Sequence, residues 1–185
     1  VVSEPKRLTT PLTDEMIDGL RAGDRVLITG TIYSARDAAH MRLAELDARG
    51  DEWPFPAEGA ILYYVGPTPT RPGHVSGSAG PTTASRMDKH TPMTLRRGVK
   101  GIIGKGNRGE ALRPEFVAHH AVYMAAIGGA GAVAAQRITG SEVIAFEDLG
   151  PEAIRAITVE DFPAMVINDV TGADYYEHAA DDWRR

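Results

Sequence analysis

Apolar positions along the chain fall into short β-branched runs and longer stretches with helical spacing, in irregular order. Arg25-Val-Leu-Ile-Thr-Gly, entered through a Gly23-Asp24 turn, is such a run and predicts a buried strand. Beyond it Ala35, Ala38, Ala39, Leu43 and Leu46 recur near one helical face, which predicts a helix over 31–46 begun by Ser34. Arg36 would project from its first turn, beside the strand end. Ahead of this unit, Thr13 is placed to cap a short helix over 13–20. Apolar runs predict further strands at 60–65, 99–104, 142–146 and 164–168, and a mainly extended segment at 116–127 whose alanines leave helix open near His119. Short helices are expected at 82–87, 92–97, 128–137 and 151–156, and a helical or frayed tail from 173. Proline and glycine break the pattern at 51–59 and again at 66–80, where the stretch is too long for a plain connector. Strands and helices mixed in this way indicate one α/β domain with a mixed sheet.

Charge sharpens the picture in one place. Between Gly77 and Arg108 lie seven basic residues (Arg86, Lys89, Arg96, Arg97, Lys100, Lys105 and Arg108) and one acid, Asp88. The whole chain has 20 Lys+Arg, 25 Asp+Glu and a net charge of −5, so 13 basic and 24 acidic residues remain outside the stretch. A positive segment in an acidic chain predicts a focused anion site. Pro81 suits the first turn of a helix, which would put Thr82 and Thr83 near an N-terminus whose free N–H groups favour an anion. Arg86 would then follow Thr82 by one turn, and Lys105 sits just past the strand expected at 99–104.

The remaining composition mainly excludes. Among 185 residues there is no cysteine, so this chain forms no disulfide and offers no thiolate to zinc or to an iron–sulfur cluster. It has no long apolar run and no signal-like start, which leads us to expect a cytoplasmic protein without membrane contact. Overall acidity, with aromatic residues at 6%, argues against nucleic acid as a partner. Gly129-Ala-Gly-Ala-Val-Ala matches a dinucleotide-binding pattern, yet small residues of this kind also pack a helix tightly on a sheet. Gly101-Ile-Ile-Gly-Lys-Gly lacks the first glycine and the Ser/Thr of a phosphate-binding loop. His119-His120, read as lying on a strand, would point to opposite sides of it and have no acid at ligand spacing.

Three separated segments carry a resemblance: Gly30-Thr-Ile-Tyr-Ser-Ala-Arg-Asp-Ala-Ala-His, Gly77-Ser-Ala-Gly-Pro-Thr-Thr-Ala-Ser-Arg-Met-Asp and Gly104-Lys-Gly-Asn. In this order they resemble the signature segments of the iron–sulfur hydro-lyases. These are class I fumarate hydratases and L-tartrate dehydratases, and the match is to their β subunit or C-terminal domain. The resemblance covers roughly 12–176, which leaves an N-terminal arm over 1–11 and a tail over 177–185. It implies a swivelling β/β/α-type domain. It also implies a [4Fe–4S] cluster held by three cysteines of a separate α subunit, and a dicarboxylate substrate. Arg36, Arg86 and Lys105 correspond to the residues that clamp substrate carboxylates, and Thr82 to the proposed catalytic base; whether Thr82 or Thr83 faces the substrate stays open. The implied activity is reversible hydration of fumarate to (S)-malate. L-tartrate dehydration to oxaloacetate is the alternative within the family, and a non-catalytic anion- or dinucleotide-binding module the alternative outside it.

Overall fold

A seven-stranded sheet organises the protein, seen in a computed structural model that describes residues 4–126 and 131–179. The strands are β1 (Lys6–Thr9), β2 (Arg25–Ser34), β3 (Ile61–Tyr63), β4 (Gly101–Gly104), β5 (Val122–Ala125), β6 (Ile138–Ala145) and β7 (Ile154–Asn168). Their order is β1-β2-β3-β4-β5-β7-β6, and β7 also pairs with β2. Five strands, β2 through β5 with β7, therefore close into a barrel-like ring, with β1 and β6 attached outside it. Strands β1 to β5 are parallel to their neighbours, whereas β7 is antiparallel to β2, β5 and β6. The mixed-sheet α/β domain expected from the sequence is what forms.

Alternation along the strands sends side chains to two cores. Ile28 and Ile32 of β2, Ile61 and Tyr63 of β3, Ile103 of β4, Met124 of β5 and Phe162 of β7 fill one cluster, inside the ring. Leu62, Ile102 and Tyr123 point the other way. They meet the helices: α2 (Asp37–Arg49) brings Ala39 and Leu43, α3 (Thr91–Arg96) brings Met93 and Leu95, and α4 (Arg113–Ala118) brings Phe116. Each fully buried Leu, Ile or Phe contributes about 1.5–3 kcal/mol. The remaining helices are short: α1 (Asp14–Asp18), α5 (Gly131–Ala135) and α6 (Tyr175–Ala179). Thr13 caps α1 as expected, its hydroxyl accepting from Met16 N at 3.3 Å.

Several elements differ from the sequence reading. The helix expected from 31 starts only at Asp37, because Thr31, Ile32 and Tyr33 continue β2; β-branched and aromatic side chains suit an extended, half-buried surface. Ser34 ends that strand instead of capping the helix: its hydroxyl donates to Ala153 O (3.1 Å) and accepts from Arg155 N (2.9 Å). Gly30 lets β2 bend here. It has φ 122°, and a Cβ would collide with Thr10 Oγ1, at the point where the β2–β7 register shifts.

The extended reading of 116–127 holds for β5 only, since Pro114 at the start of α4 carries helix to Ala118. A 3₁₀ turn, Glu147–Glu152, replaces the helix expected at 151–156, and the strand expected at 164–168 is the last third of β7. Part of the expected arm, Lys6–Thr9, is a strand paired with β2. The start of the helix read over 128–137 and the tail beyond 179 lie outside the described residues.

Candidate functional site

Parallel strands β2 to β5 finish on the same side of the ring, and the sequence-predicted residues gather beyond those ends, where ligands bind in open α/β sheets. Arg36 follows β2 and caps α2 through its backbone. The chain leaves β3, runs through the 66–80 loop, and returns between the ends of β3 and β4. Tyr64 N donates to Ile103 O (2.8 Å), keeping the two strands paired to this point. Residues 81–84 then enter as an extended wedge. Thr82 N donates to Tyr64 O (2.7 Å), Lys105 N to Thr82 O (3.1 Å) and Ala84 N to Lys105 O (2.9 Å). Thr82 and Lys105 thus sit on adjoining backbones. Gly104 permits the wedge: a Cβ there would lie 2.9 Å from the Ala84 Cβ and 3.3 Å from Tyr64 Cδ2.

This geometry corrects the expected helix start. Pro81 opens no helix but bridges Val65, and Thr83 bridges Lys105. Helical structure begins at Ala84 as a 3₁₀ segment, Ala84–His90, with Thr83 at its cap and no side-chain cap bond. Thr82 is therefore extended, not one α-turn before Arg86. Thr82 is partly buried, whereas Thr83 and Lys105 are exposed.

Arg36 and Arg86 converge on one acid. Arg86 Nε donates to Asp37 Oδ1 (3.1 Å), and its Nη2 lies 3.0 Å from Oδ2. Arg36 Nη2 lies 3.9 Å from the same Oδ2 and 3.4 Å from Glu152 Oε1. Glu152 Oε2 accepts from Ala38 N (2.8 Å), so this residue of the 3₁₀ turn before β7 also satisfies the start of α2. Sequence reasoning missed both acids. Asp37 at least adjoins Arg36 in the chain; Glu152 is 114 positions from Ala38 and left no local signal.

His40 was missed as well. It is fully buried under the site, its Nδ1 bonded to Arg36 O (2.8 Å), its ring edge-on to Tyr64 and stacked on His90. Burial pushes its pKa down to about 4, against a smaller upward pull from that carbonyl.

The basic stretch does not act as one anion site. Arg108 is buried: its Nε lies 2.8 Å from Asp88 Oδ1, its Nη2 donates to Thr91 Oγ1, and its guanidinium lies 5.2–5.8 Å from the ring centroids of Tyr64, Phe116 and Tyr123. Arg97 pairs with Asp47 and packs over Trp53. Lys100 pairs with Asp14 (2.8 Å). All three are engaged within the fold and not offered to an anion. Among the described residues Lys105 has no ion-pair partner.

The other candidates resolve similarly. His119 and His120 lie in a turn after α4, not on a strand. His119 approaches Glu115 (3.6 Å) and His120 approaches Asp18 (3.1 Å). Of the dinucleotide pattern, Gly129 and Ala130 lie outside the described residues. The helix that follows is five residues long, and β5 and β6 flanking it are separated by β7, so they form no adjacent parallel pair. A cavity of about 520 Å³ lies between the 66–80 loop and α5, lined by Arg71, His74, Ser76 and Gln136 among others, but by none of the four expected residues.

A family profile described as Fumarase C-terminus matches residues 4–179. The chain belongs to this family. Similarity extends to the Escherichia coli protein named fumarate hydratase class I, anaerobic, at 42% identity over 155 residues, 83% of this chain and 28% of that protein. Fumarate hydratase 2 of Leishmania major is 39% identical over 156 residues, again 83% of this chain and 28% of the relative. A Methanocaldococcus jannaschii protein carrying the name L(+)-tartrate dehydratase subunit beta is 34% identical over 172 residues, 90% of this chain and 88% of its own length.

The fumarase C-terminal chain thus spans a little over a quarter of the fumarate hydratases it matches. Its own residues do not fit an iron–sulfur cluster: it has no cysteine, and among the described residues no group of three or more His, Asp or Glu is placed to hold a metal ion. No helix among them is long and apolar enough to cross a membrane.

Proposed function

We propose that this chain is the β subunit of a cytoplasmic [4Fe–4S]-dependent hydro-lyase that reversibly hydrates fumarate to (S)-malate, with a cysteine-bearing α subunit holding the cluster. The observation that carries the reading is the convergence of Thr82, Lys105, Arg36 and Arg86 beyond one set of strand ends, in a chain whose relatives include class I fumarate hydratases.

In this role Arg36 and Arg86 receive a substrate carboxylate through planar, charge-assisted hydrogen bonds. Lys105 receives the other carboxylate and stabilises the extra negative charge that develops there when the adjacent C–H is deprotonated. Thr82 takes that proton in dehydration and returns it in hydration. A hydroxyl is a weak base, so Thr82 serves as the alkoxide, its own proton given up to solvent beforehand and its charge stabilised by Lys105 on the adjoining backbone. The M. jannaschii relative, matched over most of its length, supports a second reading within the same chemistry: dehydration of L-tartrate to oxaloacetate.

The test is reconstitution with a cysteine-bearing α chain, followed by fumarate, malate and L-tartrate assays. The chain alone should be colourless and inactive, and the complex active. Thr82→Ala should lower kcat by roughly 10²–10⁴ with little change in KM, and Thr82→Ser should keep much of the rate. A normal kcat in Thr82→Ala, with the loss appearing in Thr83→Ala, would move the base to Thr83; turnover by this chain alone would overturn the two-subunit reading.

A further inference from the structure

A guanidinium offers two edges to a carboxylate: the side edge, Nε with one Nη, and the end edge, Nη1 with Nη2. Arg86 gives its side edge to Asp37, with Nε to Oδ1 at 3.1 Å and Nη2 to Oδ2 at 3.0 Å. Among the described residues nothing else pairs with the end edge, and the Nε hydrogen bond with the Nη2 ion-pair contact beside it sets the plane in which that edge lies. The same Oδ2 is 3.9 Å from Arg36 Nη2, so one carboxylate lies between two arginines from different elements. Glu152 braces the arrangement from the turn before β7, one oxygen 3.4 Å from Arg36 and the other accepting Ala38 N–H. Arg86 is half exposed and Asp37 one-third exposed, and ion pairs at such exposure add little to folding stability. Orientation is the effect that remains.

We infer that Asp37 is the positioning residue of the carboxylate clamp. It turns the end edge of Arg86 toward the substrate and holds Arg36 alongside, with Glu152 as the second brace. The inference rests on the hydro-lyase reading of these arginines. The four side chains carry two positive and two negative charges, so the clamp selects by directed hydrogen bonding to a planar carboxylate, not by bulk positive charge. The competing role for Asp37 is that of an internal anion, which a substrate carboxylate must displace from Arg86. The two roles predict opposite changes in KM.

In the reconstituted enzyme, Asp37→Asn should raise KM for fumarate on the order of 10- to 100-fold, because a misaligned binding group loses much of its effect. Asp37→Glu should recover part of that loss, and both variants should melt close to wild type. An unchanged or lowered KM in Asp37→Asn overturns the inference, the lowered value identifying a competitor. A second measurement needs no partner: nitrogen NMR of the arginine Nε–Hε groups in this full chain. Asp37→Asn should shift the Arg86 signal and speed its exchange with water, and an unchanged signal overturns the inference. If the wild-type complex turns over no dicarboxylate, the hydro-lyase reading fails, and the NMR comparison still decides whether Asp37 orients Arg86.

Discussion

Arg108→Ala should unfold this protein far more readily than Arg86→Ala, although both arginines belong to the same basic stretch. The Arg108 side chain is 1% exposed and Asp88, its partner at 2.8 Å, is 25% exposed. Removing one member of a buried pair typically costs 3–5 kcal/mol because the other is stranded. Asp88 keeps some solvent and the Gly109 N–H at 2.9 Å, which favours the lower end, about 3 kcal/mol. Loss of the Thr91 bond and of three aromatic contacts works in the other direction. For a domain of this size that corresponds to a melting temperature about 6–12 °C lower. Arg86 is 51% exposed, so its pair with Asp37 is screened and Arg86→Ala should cost at most about 1 kcal/mol. Circular dichroism melts of the two variants, with urea unfolding at 25 °C as a check, decide the matter. Equal losses, or a loss below about 1 kcal/mol for Arg108→Ala, would refute this division of the stretch into buried and site-forming cations.

Gly104→Ala should destabilise by about 1–3 kcal/mol and depress activity, because the added methyl meets Ala84 and Tyr64 and forces out the segment that carries Thr82; a variant with wild-type urea midpoint and rate would show that the wedge yields freely. Stability should also fall as the pH drops from about 6.5 to about 4, since the unfolded chain then binds a proton that buried His40 refuses, at about 1.4 kcal/mol per pH unit for one group. Above that window the neutral ring contributes fully; urea unfolding from pH 7 to 4.5 should give a shallower slope for His40→Asn than for wild type, and parallel curves would rule His40 out.

Local signals in the sequence carried as far as local causes operate. The Thr13 cap, the glycine–proline interruption at 66–80 and the placing of Lys105 just past β4 all depend on near neighbours, and each was legible. Strand β2 was cut short because Ala35, Ala38 and Ala39 extend a helical pattern backward across residues that the sheet claims. Strand β7 was read as a short helix at 151–156 and a strand at 164–168, with Asp161 and Pro163 between them; the strand accommodates both, Asp161 at φ 49° with its N bonding to Thr29 Oγ1 and Pro163 lying opposite Leu27. The basic stretch misled in another way. Charge in a sequence has no depth, and only the packed structure separates Arg108, enclosed by aromatic rings, from Arg86 and Lys105 at the open edge.

Ring closure by β7 has a consequence for synthesis of the chain. Strands β2 and β5 are both completed by residues 154–168, so during translation each presents an unsatisfied edge until the last part of the domain has left the ribosome. Pairing Val26 with Ala164, or Tyr33 with Ala156, joins positions more than a hundred residues apart, and contacts of that range form slowly. Between the emergence of β5 and that of β7 the nascent domain is therefore an open, adhesive sheet, and its yield in a cell should depend on chaperone supply more than its final stability would indicate.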